Sequence, residues 1–184
     1  LFPARWQEPF GIVGAEALLR WSSPTLGRVS PDEVLRIAED TGFIASLGRW
    51  TLMRACQEAA WWMSTCEEPI RLSVNVSPLQ FEQDDVFTAV VDALKHAALP
   101  PELLDLEITE SLLLRDDQTT AQSLEELRRM GVRIVLDDFG KGYSALAVLM
   151  SQPIDVLKLD RRLVDTIAPD GEGSHLLSNV IRMA

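Results

Sequence analysis

Residues 132–146 read VRIVLDDFGKGYSAL. Three apolar β-formers, Ile134, Val135 and Leu136, run directly into two adjacent aspartates, Asp137 and Asp138, and then into a turn carrying Gly140 and Gly142. A short apolar run bounded by glycine reads as a buried strand. Two carboxylates at the mouth of such a strand repel each other and are costly to take out of water. Either they sit idle in solvent or a cation offsets them. The Gly-x-Gly turn is weak evidence for phosphate binding, because neither Gly-x-Gly-x-x-Gly nor a P-loop is present.

Outward from this segment, strands and helices alternate. Strands are expected at 12–19, 70–76, 103–108, 132–136 and 155–159. Helices are expected at about 30–41, 46–67, 84–98, 119–130, 144–150 and 175–184. Ser30-Pro31-Asp32-Glu33 combines an N-cap serine, proline at the first helical position and acids in the first turn, and Gly42 can end that helix. Near-continuously apolar strands alternating with helices imply a parallel sheet covered on both faces. A doubly wound sheet and a (β/α) barrel both fit. A barrel has eight strands and needs ~250 residues, so five strands in 184 residues point to an incomplete barrel.

Polar residues recur at the C-terminal ends of these strands. Glu16 interrupts the first and Asn75 the second, Glu107 ends the third, Asp137 and Asp138 the fourth, and Lys158 and Asp160 close the fifth. Parallel α/β folds build their sites at that end. Glu, Asn and Asp offer only oxygen, which suits Mg²⁺ or Mn²⁺ and lacks the His and Cys that zinc prefers. Adjacent aspartates can divide their oxygens between two ions, an arrangement suited to phosphoester cleavage. Lys158 is placed to orient or activate the attacking water. Taken singly, each residue has a blander reading: an N-cap aspartate, a bulge asparagine, Glu16 paired with nearby Arg20. Their recurrence on successive strands favours a site.

Bulk properties narrow the function further. The chain carries a net charge of −11, which repels duplex DNA. An anionic substrate would need a divalent cation to invert the local field. A length of 184 residues and 47% hydrophobic content support one domain or a piece of one. No apolar run approaches a membrane span and no signal peptide is visible. Cys56 and Cys66 fall in one helical stretch, neither a metal pattern nor a disulfide framework, which suggests a reducing cytoplasm. His96 and His175 are expected at the surface, and Trp50, Trp61 and Trp62 in the core or at an interface.

The segments GAEALLRW (14–21), VNVSPLQF (74–81), LEITES (106–111), LDDFGKGYSAL (136–146) and LKLD (157–160) resemble, in order and spacing, the EAL-domain family of bacterial cyclic di-GMP phosphodiesterases. The resemblance implies a TIM-type barrel with one antiparallel strand, hydrolysis of cyclic di-GMP to linear pGpG, and two Mg²⁺ or Mn²⁺ ions. It makes Glu16, Asn75, Glu107 and Asp137 metal ligands, with Glu16 also counted among the catalytic groups, and Asp138 the ligand of a second ion. It gives Lys158 the catalytic water, Leu18, Arg20 and Asp160 the substrate, and Arg20 its phosphate. It makes Glu110 the tether of a control loop containing Phe139, Gly140 and Ser144. Lys141 and Ala145 depart from the Thr or Ser and the Ser usual in that loop. The family's Tyr-Gln-Pro strand does not precede Glu16, and its Ala-Glu-Gly-Val-Glu strand does not follow within the sequence. Residues 1–184 therefore read as the central portion of one EAL domain, expected to be inactive or to pair with another copy when isolated. The family also implies a cytoplasmic setting, free or on a membrane-bound sensor, a homodimer, and fusion to sensory or diguanylate-cyclase-like domains. The alternative within the resemblance is a catalytically silent module that acts as a cyclic di-GMP receptor or binds a partner protein.

Overall fold

The computed structural model of the protein describes residues 12–114, 117–140 and 153–162. In chain order these form β1 (Gly14–Ala17), β2 (Trp21–Ser23), β3 (Gly27–Val29), α1 (Pro31–Asp40), α2 (Ile44–Thr65), β4 (Arg71–Asn75), α3 (Pro78–Gln83), α4 (Val86–Ala97), β5 (Leu104–Thr109), α5 (Glu110–Leu113), α6 (Gln118–Arg129), β6 (Arg133–Phe139) and β7 (Val156–Leu159). A single 3₁₀ turn at Pro101–Leu103 leads into β5.

Five strands form one sheet in the order β1-β4-β5-β6-β7, with every neighbouring pair parallel. Strands added in chain order, with helices between β1 and β4, β4 and β5, and β5 and β6, are the wall of a TIM-type barrel. β2 and β3 form a separate antiparallel hairpin.

The strands alternate by face. Leu72, Val74, Leu104, Leu106, Ile108, Ile134 and Leu136 are buried with Leu52 and Cys56 of α2, Val90 and Leu94 of α4, and Leu124 and Leu127 of α6. The intervening positions are largely polar. The near-continuously apolar strands expected from sequence are thus corrected to strands apolar mainly on the helix side, with Val135 a buried apolar residue at an intervening position. On the other face, toward the N-terminal ends, buried Asp105 accepts from Arg71 Nε at 3.1 Å and Arg133 Nε at 3.0 Å, joining β4, β5 and β6.

Local signals account for the helix limits. Ser30 Oγ accepts from Glu33 N–H at 3.2 Å and Gly42 follows α1 at φ +74°. At α6, Asp117 accepts from Thr119 and Thr120, which hold its carboxyl down at about 2. Three sequence expectations are revised. The helix expected at 84–98 is α4 preceded by a separate short α3, because Ser77 and Gln80 form a capping box. The strand expected at 12–19 is shorter, and the β2–β3 hairpin follows it. β6 runs three residues past Leu136. The helices expected at 144–150 and 175–184 lie outside the described residues.

Candidate functional site

Four strands deliver polar side chains to one rim of the sheet. Asn75 is the last residue of β4, beside Glu107 of β5, while Glu16 of β1 pairs with Ser73. Asn75 Nδ2 donates to Glu16 Oε1 at 2.7 Å. Lys158 Nζ, from β7, donates to Glu107 Oε1 and lies 3.5 Å from Glu16 Oε2. Glu16, Asn75, Glu107 and Lys158 thus form one connected polar cluster.

Burial sets its electrostatics. The Glu107 side chain has 0% exposure, against 36% for both Lys158 and Glu16. A carboxylate so buried cannot be hydrated and needs a compensating charge. Lys158 supplies it to one oxygen; the other, Oε2, is buried with no hydrogen-bond partner among the described residues. Burial alone would lower the Lys158 pKa, but the hydrogen bond to Glu107 and the charges of Glu107, Glu16 and Asp137 raise it above its ordinary value. Lys158 is therefore an ammonium that donates hydrogen bonds, with no lone pair for removing a proton.

The two aspartates are placed by a bulge. Leu136 pairs with Leu157 and Phe139 with Leu159, so Asp137 and Asp138 together stand opposite the single residue Lys158. Asp138 takes φ +58°, a left-handed value that Asp tolerates better than most residues. Without a bulge, consecutive strand residues would point to opposite faces. The extra residue breaks that alternation beside the lysine. Asp137 is also in register with Thr109, and both aspartates are half-buried.

The remaining expected residues are distributed around this cluster. Leu18 and Arg20 are exposed and, with Glu16, Trp50, Arg54 and Trp62, line a pocket of about 340 Å³. Arg20 Nη1 donates to Leu19 O at 2.7 Å, and Glu16 is engaged by Asn75 and Lys158, so the Glu16–Arg20 pairing is not formed. Asp160 follows β7, and its Oδ1 accepts from Arg162 N–H at 2.7 Å. Phe139, expected in the control loop, is instead the buried last residue of β6, 2% exposed, because its ring joins the apolar core. Gly140 begins the turn at φ +106° and is exposed. Ser144 lies outside the described residues. Glu110 opens α5 with both carboxylate oxygens buried and unpartnered among the described residues. Of the tryptophans expected in the core or at an interface, Trp62 packs against the core, while Trp50 and Trp61 are exposed, at 58% and 61%.

Sequence reading passed over Glu39 and Gln80, whose side chains hold the turn after Asn75. The signal was available: Ser77-Pro78-x-Gln80 is a capping box.

Among the described residues, no group of three or more His, Cys, Asp or Glu side chains is arranged to hold a metal ion. The Lys158 ammonium lies among the carboxylates, and one of the close oxygen donors is the amide of Asn75. The donor chemistry nevertheless fits a hard divalent cation. All candidate donors are oxygens, and the orphaned Glu107 Oε2 is the kind of buried acceptor a cation would satisfy.

A family model described as the EAL domain matches residues 10–184. The chain is 38% identical over 172 residues to the bifunctional diguanylate cyclase/cyclic di-GMP phosphodiesterase MucR of Pseudomonas aeruginosa, covering 94% of this chain and 25% of that protein. It is 37% identical over 163 residues to the oxygen sensor protein DosP of Escherichia coli, covering 89% of this chain and 20% of that protein. The chain thus spans a fifth to a quarter of these relatives' length. Among solved structures, the PaMucR phosphodiesterase in complex with c-di-GMP superposes with a TM-score of 0.82 at 38% identity, covering 92% of this chain and 69% of that one.

Proposed function

The chain belongs to the EAL domain family, and from that membership we propose that it hydrolyses cyclic di-GMP to linear pGpG with Mg²⁺ or Mn²⁺, as part of a larger signalling protein. The observation that carries this reading is the meeting of Glu16, Asn75, Glu107 and Lys158 at the C-terminal rim of a parallel sheet, with one Glu107 oxygen left unpartnered. The fold and the MucR likeness support the substrate.

In this reading Glu16, Asn75, Glu107 and Asp137 would hold one cation and Asp138 would contribute to a second. When bound, the cations offset the charge developing on the phosphoryl oxygens and acidify the attacking water. The water's oxygen bonds to phosphorus while the bond to one ribose oxygen breaks, and the leaving oxygen ends with a proton. Lys158, kept cationic by its carboxylate neighbours, positions that water by donating a hydrogen bond. Arg20, exposed at the rim, offers its guanidinium to a phosphate, and Leu18 packs against the ligand. Asp160 lies on the substrate side. Glu110, buried where α5 opens, keeps the tethering role that the family assigns it. Residues 1–184 act as one part of an EAL domain, joined in the full protein to sensory or cyclase-like domains and paired as a homodimer in the cytoplasm.

A second reading has one observation in its favour: Lys158 already offsets part of the charge of the Glu107 and Glu16 carboxylates that would otherwise need a metal. A silent receptor would bind cyclic di-GMP without cleaving it. Incubation of the full protein with cyclic di-GMP and Mn²⁺, followed by chromatography, separates the two. Release of pGpG that stops with a chelator is expected; tight binding with no pGpG supports the receptor instead.

A further inference from the structure

The turn that presents Asn75 is held from outside the sheet. β4 ends at Asn75, Val76 N–H still donates to Glu107 O at 2.9 Å, and Ser77 then caps α3. Ser77 Oγ accepts from Leu79 N–H at 3.2 Å and donates its own proton to Glu39 Oε1 at 2.7 Å. Ser77 N–H donates to Gln80 Oε1 at 3.0 Å. The Gln80 side chain is buried against Gly48 of α2, where an added Cβ would come within 1.7 Å of Gln80 Nε2. Two helices therefore grip one turn.

Glu39 is an unexpected residue for its place. It lies in the last turn of α1, where no basic residue stands and where the helix dipole disfavours a negative charge. A carboxylate there weakens the isolated helix by a small amount, and its visible return is the bond to Ser77. Asn75 itself is exposed, and among the described residues its amide bonds to one side chain, that of Glu16. Its position is thus set by its backbone. Sites of this kind tolerate misplacement of only ~0.5 Å.

We propose that Glu39 is a positioning residue for Asn75: through Ser77 it fixes the turn that aims the Asn75 amide into the candidate metal site. The inference rests on the phosphodiesterase reading for what Asn75 does there. Removing a group that orients a ligand typically weakens metal binding by ~10–100-fold.

The test compares Glu39→Ala, Glu39→Gln and the unsubstituted full protein by three measurements. These are Mn²⁺ affinity by calorimetry well below the melting temperature, amide hydrogen exchange at residues 77, 79 and 80, and pGpG release. Glu39→Ala is expected to weaken Mn²⁺ binding by ~10-fold and to speed exchange in the turn, with exchange in β5 unchanged. Glu39→Gln keeps an acceptor for Ser77 and is expected to restore both. A purely structural role would lower the melting temperature and leave Mn²⁺ affinity unmoved; that result overturns the proposal, as does equal loss in Glu39→Gln and Glu39→Ala. If the unsubstituted protein neither binds Mn²⁺ nor releases pGpG, the phosphodiesterase reading fails first and the positioning role with it.

Discussion

Lys158 Nζ donates to Glu107 Oε1, so the fully buried carboxylate of the rim is neutralised by an ammonium carried on the strand two places away. The pair belongs to a cluster in which Lys158 also faces Glu16, and among the described residues it leaves the second Glu107 oxygen without a partner. Both halves of that arrangement matter for the chemistry. The lysine holds the carboxylates of Glu16 and Glu107 together, and the second Glu107 oxygen is a buried acceptor that a cation would satisfy.

Lys158→Ala in the full protein is expected to lower kcat for pGpG release by ~100-fold or more, with cyclic di-GMP affinity within about twofold. Its assigned partner is the water and not the dinucleotide. Affinity falling in step with kcat would make Lys158 a substrate clamp, and calorimetry beside steady-state kinetics reads the difference.

Asp137→Asn removes a charged donor opposite Lys158 while preserving shape. Turnover is expected to fall by several-hundred-fold, because the metal contribution is worth several kcal/mol. Unchanged turnover at saturating Mn²⁺ would remove Asp137 from the ligand set.

Asp105 is the centre of the other polar layer, buried between Arg71 and Arg133. Asp105→Ala leaves two guanidinium groups without their carboxylate, a change that costs ~3–5 kcal/mol when the orphaned charge is fully buried. Arg71 and Arg133 keep 29% and 38% side-chain exposure, so about 2–3 kcal/mol is expected by denaturant unfolding. A loss under ~0.5 kcal/mol would mean that the layer does not stitch the strands.

The two thiols should behave oppositely. Burial pushes Cys56 up to about 12, whereas Cys66 is exposed at the end of α2. At pH 8 a thiol reagent is expected to modify Cys66 rapidly and Cys56 only on unfolding, scored by mass spectrometry. Equal labelling of both in the native protein would contradict the packing of α2 on the sheet.

The sequence made the parallel sheet legible because apolar residues recur along short strands that carry a polar residue near the C-terminal end, as at Leu136–Asp137 and Leu106–Glu107. It made α1 legible because Ser30, Pro31 and Gly42 act locally. The bulge at Asp137–Asp138 was not legible: it is a property of pairing with β7, and nothing within residues 132–139 says that two residues will face one. Phe139 misled for the same reason, since its place in the core depends on that pairing. The partner of Glu16 was also beyond local reading. Arg20 is near in sequence, but the sheet brings Asn75 and Lys158 nearer in space. The β2–β3 hairpin was missed because its strands are three residues each, largely exposed, and hold a single apolar side chain apiece, Trp21 and Val29, too little for a periodic signal.

Diffraction from crystals of the full protein soaked in Mn²⁺, with anomalous scattering to locate the ion, tests the candidate metal centre most directly. The expected result is a peak at bonding distance from Glu107 Oε2, with Glu16, Asn75 and Asp137 completing the oxygens and Lys158 moved off Glu107. Crystals that bind no manganese at this rim, with Lys158 still paired to Glu107, would contradict it.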